Sequence, residues 1–335
     1  MKYALTTDVV RAAANTTGSG TNGGTDVTVT VMVTGTATES VAGNNNISTH
    51  TLDRGSVTVV GPRGFNLQLN GNLLTLSKGY RLKGFKITSG DPGGSTRTAA
   101  IKLAGVGTSL ENMNIDCEGL GTGGTNFTTT LGDRCIEVTA TTLGGTILLQ
   151  GLEVQIKGDK NYTAAIVHSS SDPTTTLRVV GSTIRSTGNN GQGVVGVLGL
   201  GALGGALVGP VIVQSSTVDL ESITSGTSAV GGQVNIAVLL NVGDSEVLGS
   251  RIKLNGQDSS QATKEGSIGV KVNHSSGLVV VEGTTFTTKT NEVGIGIKKE
   301  AGTGSLNLVN NSFPLPPCGS GNSENRCLWK NVDPP

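Results

Sequence analysis

Short runs in which apolar and polar residues alternate recur along almost the whole chain. Val27-Thr28-Val29-Thr30-Val31, Leu177-Arg178-Val179-Val180, Val211-Ile212-Val213, Leu278-Val279-Val280-Val281 and Leu306-Asn307-Leu308-Val309 are examples. Period-two alternation rich in β-branched residues predicts strands with one buried face. The Gly-, Asn-, Ser- and Thr-rich stretches between them predict turns and loops. A second set of short strands is expected upstream of these runs, at Ile101-Lys102-Leu103, Ile136-Glu137-Val138, Ile166-Val167-His168, Ile236-Ala237-Val238, Val270-Lys271-Val272 and Ile295-Gly296-Ile297.

A four-residue phrase gives these strands a common register. It reads Gly or Asn (Ser in one of eight cases), a second residue, any residue, then an aliphatic or Phe. It occurs as Gly84-Phe85-Lys86-Ile87, Asn112-Met113-Asn114-Ile115, Gly151-Leu152-Glu153-Val154, Gly181-Ser182-Thr183-Ile184, Ser215-Ser216-Thr217-Val218, Gly249-Ser250-Arg251-Ile252, Gly283-Thr284-Thr285-Phe286 and Asn310-Asn311-Ser312-Phe313. The intervals between the final residues are 28, 39, 30, 34, 34, 34 and 27. A fixed phrase at periods of this size marks a solenoid, with loops of variable length growing outward from a constant rung.

Each position of the phrase has a physical reading. Gly or Asn at the first position suits the left-handed conformation of a sharp corner between strands. The fourth position is always apolar and faces inward. The second position shares its parity, so Phe85, Met113, Leu152, Ser182, Ser216, Ser250, Thr284 and Asn311 also point inward. With rungs about 4.8 Å apart, the hydroxyls and amide of the later rungs are placed to form a hydrogen-bonded ladder along the axis. The residue after the fourth position points outward, giving the column Thr88, Asp116, Gln155, Arg185, Asp219, Lys253 and Thr287.

The predicted fold is therefore all-β: a single-stranded right-handed parallel β-helix, a solenoid with capped ends. Residues 1–49 are expected to hold an N-terminal cap, with a short amphipathic helix over Tyr3–Ala14, and irregular first rungs. The β-helix proper is expected over 50–313, and a C-terminal cap or tail over 314–335. The pattern resembles the right-handed parallel β-helix proteins of the pectin-lyase-like group, over roughly residues 50–313. That group includes lyases, hydrolases, tailspikes and adhesins, so the resemblance implies an architecture and not an activity.

Composition supports this picture. Of 335 residues 52 are Gly, about twice the usual share, while 14% are charged and 3% aromatic. No collagen period is present. Lys plus Arg equals Asp plus Glu at 24 each, which gives no electrostatic reason to bind nucleic acid. No apolar run approaches the ~20 residues of a membrane-spanning helix. The N-terminus does not read as a signal peptide, because Asp8 and Arg11 follow Ala4-Leu5 at once. Either the protein is cytosolic, or a leader has been removed. Cys117, Cys135, Cys318 and Cys327 show no C-x-x-C spacing, which argues against zinc. Two disulfides in an exported protein is the preferred reading, with four buried thiols as the alternative.

The family's catalytic motifs are mostly absent. Arg251-Ile252-Lys253 matches one polygalacturonase-like tripeptide, but Asp-Asp, Gly-His-Gly and Asn-Thr-Asp do not occur, and the tripeptide falls inside the repeat. His50, His168 and His274 form no metal or triad spacing, and Gly199–Gly204 lacks the βαβ context of a nucleotide loop. One acid group stands out: Asp116, Glu118 and Glu153. Strand and rung spacings put Asp116 and Glu153 about 8 Å apart, which suits an inverting carboxylate pair or a calcium ion, walled by the 119–134 loop. Scarce aromatics argue against a strong sugar-stacking groove.

Three functions follow as expectations. The first is a non-catalytic exported β-helix acting as a structural, adhesive or passive binding module, extracellular or at the cell surface, with a glycan or cell-surface partner and no cofactor. The second is a polysaccharide hydrolase or lyase built on Asp116, Glu118 and Glu153, with calcium as its possible cofactor. The third is a trimeric fibre or tailspike in which outward Val167 and Leu198 are buried between chains.

Overall fold

The computed structural model describes residue 5 and residues 28–41, 45–50, 52, 55–90, 99–118, 131–139, 144–158, 162–188, 193–200, 208–220, 235–254, 257–258, 267–274, 276–288, 292–300, 304–313 and 326–330. Among these residues the strands form three sheets of ten, nine and eleven strands, and each lap of the chain visits the three in turn. The first sheet runs from Thr28–Met32 to Ser305–Val309, the second from Thr38–Ser40 to Thr285–Thr288. The third runs from Ile47–Ser48 to Glu292–Lys299, and Arg326–Lys330 pairs beyond it. Pairing between rungs is parallel. The exception is Gln257–Asp258, which lies antiparallel to Glu292–Val293. The protein is an all-β parallel β-helix, a solenoid whose laps build three sheets side by side.

Rungs extend on both sides of the 50–313 span: Thr28–Met32 pairs with Ser56–Val60, and Arg326–Lys330 joins the third sheet. Of the expected N-terminal cap, Leu5 is described and is buried in the core; the rest of Tyr3–Ala14 and residues 314–325 lie outside the described residues. Each lap has three strands rather than two with a corner, because the end of the phrase starts a strand of its own, as in Asn114–Glu118 and Glu153–Gly158.

The phrase behaves as its chemistry requires. All eight first positions have positive φ, from +49° at Ser215 to +89° at Gly84. The fourth-position side chains Ile87, Ile115, Val154, Ile184, Val218, Ile252 and Phe286 stack in register and are buried. A second corner, leading into the first sheet, also uses positive φ, at Gly55, Gly79, Gly107, Gly144, Asp244 and Gly277. It does not emerge from the repeat because the loops before it differ in length and composition.

Inside the coil the polar ladder is present. The backbone N–H of Leu152 donates to Ser182 Oγ (3.1 Å), that of Ser182 to Ser216 Oγ (3.2 Å), and that of Ser216 to Ser250 Oγ (3.2 Å). Farther along, Thr284 N–H donates to Asn311 Oδ1 (2.9 Å). Each Ser hydroxyl in turn donates to the carbonyl two residues before it, Val180, Gln214 or Leu248. These side chains thereby satisfy corner N–H groups that the strand ladders leave over.

The second and third sheets approach closely across the lumen. The third-sheet register skips one residue per rung, giving the column Ala100, Cys135, Ala165, Gly196, Ala237, Gly269 and Gly296. A Cβ on Gly196 would lie 2.5 Å from Val218 Cγ1, and one on Gly269 2.7 Å from Phe286 Cδ1. Small residues are required there. In one rung the gap is bridged covalently: Cys135 forms a disulfide with Cys117 of the second sheet, Cα–Cα 5.6 Å. Cys318 lies outside the described residues.

Outside the third sheet a second apolar cluster includes Val167, Leu198, Ile236, Leu239 and Ile268. Val167 and Leu198 do point away from the lumen, but both are 0% exposed within one chain. They are therefore not the free apolar surface that the trimeric reading assigned to chain–chain contact.

Neighbouring positions should respond with opposite signs. Ser216→Ala strands the buried Ser182 N–H and should cost about 1–3 kcal/mol. Ser215→Gly relieves a left-handed non-glycine corner and should add about 1 kcal/mol. Urea midpoints of the two variants check both.

Candidate functional site

The outward face of the second sheet carries the acids that the sequence singled out. Asp116 and Glu118 project from Asn114–Glu118; Glu153 opens the next strand, opposite Asn114 and two places from the Asp116 column. Their partners differ. Asp116 Oδ2 faces Lys86 Nζ at 3.9 Å, while its Oδ1 is enclosed without a hydrogen bond. Glu118 pairs with Lys157, which it holds protonated above the usual lysine value through that hydrogen bond. Glu153 Oε2 accepts from Asn114 Nδ2 at 3.4 Å. Adjacency in the sheet thus does not gather the three acids around a common point. Among the described residues no group of three or more His, Cys, Asp or Glu is placed to hold a metal ion. Residues 119–130 of the expected wall lie outside the described residues.

One of the three borders a depression. A cleft of about 310 Å³ lies at the corner between the first and second sheets, and its polar lining is Arg63, Lys86, Asn112, Asn114 and Glu153. Asp116 and Glu118 are not part of it. Lys86, Asn114 and Glu153 occupy the third, outward position of the phrase in consecutive rungs. That column is legible in the repeat once its third position is read as a surface column, whereas Arg63 comes from an earlier loop and has no such signal. Two cations, two amides and one carboxylate can hydrogen-bond a hydroxyl-rich ligand. They do not supply the paired carboxylates of a glycosidase.

Farther along the same face, Asp219 and Lys253 pair at 3.2 Å as the outward column predicts. The buried titratable groups serve the fold. His168 is fully buried, its Nε2 bonded to Thr175 O at 3.0 Å, and burial pushes its pKa down to about 4. His274 Nδ1 lies 2.9 Å from Ser276 O. Asp172 accepts from Thr175 Oγ1, Thr174 N and Oγ1, and Gly144 N of the preceding rung. Those four bonds hold its carboxyl well below the usual carboxylate range.

No protein-family model matches the chain, and no curated protein matches it in sequence. Three solved structures are similar in fold. Pectin methyl esterase of the rice weevil aligns over 92% of this chain and 86% of its own, with 11% identity and a TM-score of 0.45. The A-module of mannuronan C-5 epimerase AlgE4 from Azotobacter vinelandii covers 93% and 90%, with 11% identity and a TM-score of 0.28. Tailspike protein 3 of bacteriophage CBA120 aligns over 85% of this chain with 10% identity and a TM-score of 0.28, and the chain spans 56% of that protein's length.

His168 yields a pH prediction. The unfolded chain takes up its proton near pH 6.5 and the folded chain only near pH 4. Between these values the unfolded state binds more protons, so stability falls as pH drops, by about 1.4 kcal/mol per pH unit from this group. Denaturant titrations at several pH values should show a shallower decline over this window for His168→Gln.

Proposed function

We propose that this protein is an exported, non-catalytic β-helix that serves as a structural or passive binding module at the cell surface. The observation that carries the reading is the dispersal of its candidate acids: Asp116, Glu118 and Glu153 are each engaged by a different side chain. Carboxylates engaged separately in this way do not offer a calcium ion a common set of oxygens. The module works without a cofactor. Its partner is a glycan or another hydroxyl-rich cell-surface component, received in the polar cleft beside Glu153. Export is supported by the Cys117–Cys135 disulfide, since such bonds persist in oxidising compartments.

One feature favours an enzyme as the second reading. Asp116, next to Lys86, keeps one enclosed carboxylate oxygen, Oδ1, without a hydrogen bond, and unsatisfied buried polar groups of this kind are found at catalytic sites.

A polysaccharide panel separates the two readings. Neither the wild type nor Asp116→Ala nor Glu153→Ala is expected to release new reducing ends or unsaturated products above background. Turnover by the wild type that is lost in either variant would establish the enzyme. Affinity electrophoresis through the same polysaccharides is expected to show retardation, weakened about tenfold in Arg63→Ala/Asn114→Ala, the equivalent of about 1.4 kcal/mol.

A further inference from the structure

We propose that two copies of this chain pair face to face through the outer side of the first sheet, antiparallel, about a two-fold axis that passes between its fifth and sixth strands. The proposal goes beyond the binding reading given above, and the partner it names is a second copy.

The three outer faces differ in a way that the coil itself does not require. On the second sheet the outward positions from Thr38 to Thr287 hold no aliphatic or aromatic side chain. Its charges also pair within the chain, as Lys86–Asp116, Lys157–Glu118 and Lys253–Asp219. On the third sheet the outward apolar cluster is buried within one chain. The first sheet follows neither pattern. Leu148, Val180, Ile212, Leu248 and Val280 on its outer side are partly exposed, and Leu278 is 42% exposed. Every segment by which the chain leaves this sheet lies among the described residues.

Charge on this face points to its partner. The middle outward column runs through Arg81, Ser109, Leu148, Arg178, Ile212 and Glu246 in register. Arg178 donates to Gln214 of the next rung at 3.2 Å. Arg81 and Glu246 have no side-chain partner among the described residues. They are of opposite sign and stand on the third and eighth of the sheet's ten strands, equally far from its centre. A two-fold axis through that centre, perpendicular to the sheet, sets Arg81 of each copy opposite Glu246 of the other. Stacked sheets lie about 10 Å apart, a gap that these two side chains span together.

The rest of the face agrees with the same operation, which also reverses strand direction. Lys83, which faces Glu111 at 3.8 Å in its own chain, falls opposite Asp244. Val60 of the second strand falls opposite Leu278 of the ninth. Glu111 meets Pro210, Glu282 meets Ser56, and Arg178 beside the axis meets Leu148, so no like charges stand directly opposite. Each contact occurs twice, as an isologous interface requires. Ten strands about 4.8 Å apart and about 15 Å long make a face of about 700 Å² per copy. That is close to the ~800 Å² per partner of a stable, specific interface.

Sedimentation equilibrium on the full chain tests the idea. The wild type is expected to be a dimer whose Kd rises with salt, because its charge pairs lie near solvent. Arg81→Glu and Glu246→Arg each set like charges opposite one another at two places, and each should raise Kd at least about a hundredfold. The double variant exchanges the two signs and should dimerise as the wild type does. Both side chains point outward, and circular dichroism checks that every variant folds. Recovery in the double variant also separates a lost contact from a damaged fold. A wild type that stays monomeric at every concentration would overturn the proposal, as would a trimer or a dimer indifferent to both single variants. Single variants that dissociate while the double variant fails to recover would overturn the antiparallel register.

Discussion

The structure depends on one constraint: after every lap the chain must return to the same angular position, one strand spacing higher. Backbone hydrogen bonds between rungs then align, and each inward side chain lands on its equivalent. The left-handed corner at the head of the phrase enforces this return. It turns the chain from the first sheet to the second within one residue, and that residue has positive φ in all eight rungs. Loops elsewhere in the lap are free to vary because they begin and end on fixed strands. Intervals from 27 to 39 residues are therefore compatible with an unbroken register.

The same constraint explains what could be read from sequence. A corner and an inward apolar residue three places later leave a linear signature, so the coil, its register, the outward column and the serine ladder were all accessible. The Asp219–Lys253 pair and the Leu152-to-Ser250 run of hydrogen bonds follow from that register. Other features leave no such mark. The second corner is filled by Gly or Asp and follows loops that differ in length and composition from rung to rung. The small-residue column depends on how closely two sheets approach, a property of the cross-section and not of any one rung. The cleft draws Arg63 from one loop and Lys86, Asn114 and Glu153 from three rungs. Placing Asp116, Glu118 and Glu153 near one another was a matter of register; which partner each would take depended on long side chains such as Lys157, whose direction a repeat does not specify.

Polar groups fall into two populations with different consequences. Inside, the ladder hydroxyls of Ser182, Ser216 and Ser250 bond to backbone donors and acceptors, Asp172 accepts from backbone N–H groups and Thr hydroxyls, and their removal would leave orphaned groups in a dry interior. On the outside, side chains pair across neighbouring rungs in solvent, where a single pair contributes little to stability. Change on the outer face is consequently inexpensive, while change in the lumen is not. A binding role on the second-sheet face, with no demand on the core, is consistent with that division.

The disulfide illustrates how the interior sets the limits on chemistry. Cys135 occupies a column in which every other residue from Ala100 to Gly296 is Ala or Gly, and at Gly196 and Gly269 the opposing sheet leaves no room for a longer side chain. A disulfide fits because its two sulfurs replace, in a single bridge, the packing that two separate side chains would otherwise have to supply. Closing a segment of 18 residues also restricts the unfolded chain, which on an entropic account is worth about 3 kcal/mol. The bond therefore fastens the second sheet to the third within one rung, whereas backbone hydrogen bonds fasten each sheet only to itself along the axis. Transverse cohesion in the rest of the coil rests mainly on apolar packing, with single bonds such as His168 Nε2 to Thr175 O between the third and first sheets. A cross-link where the second and third sheets approach closely adds strength in the direction in which the hydrogen-bond ladders provide none.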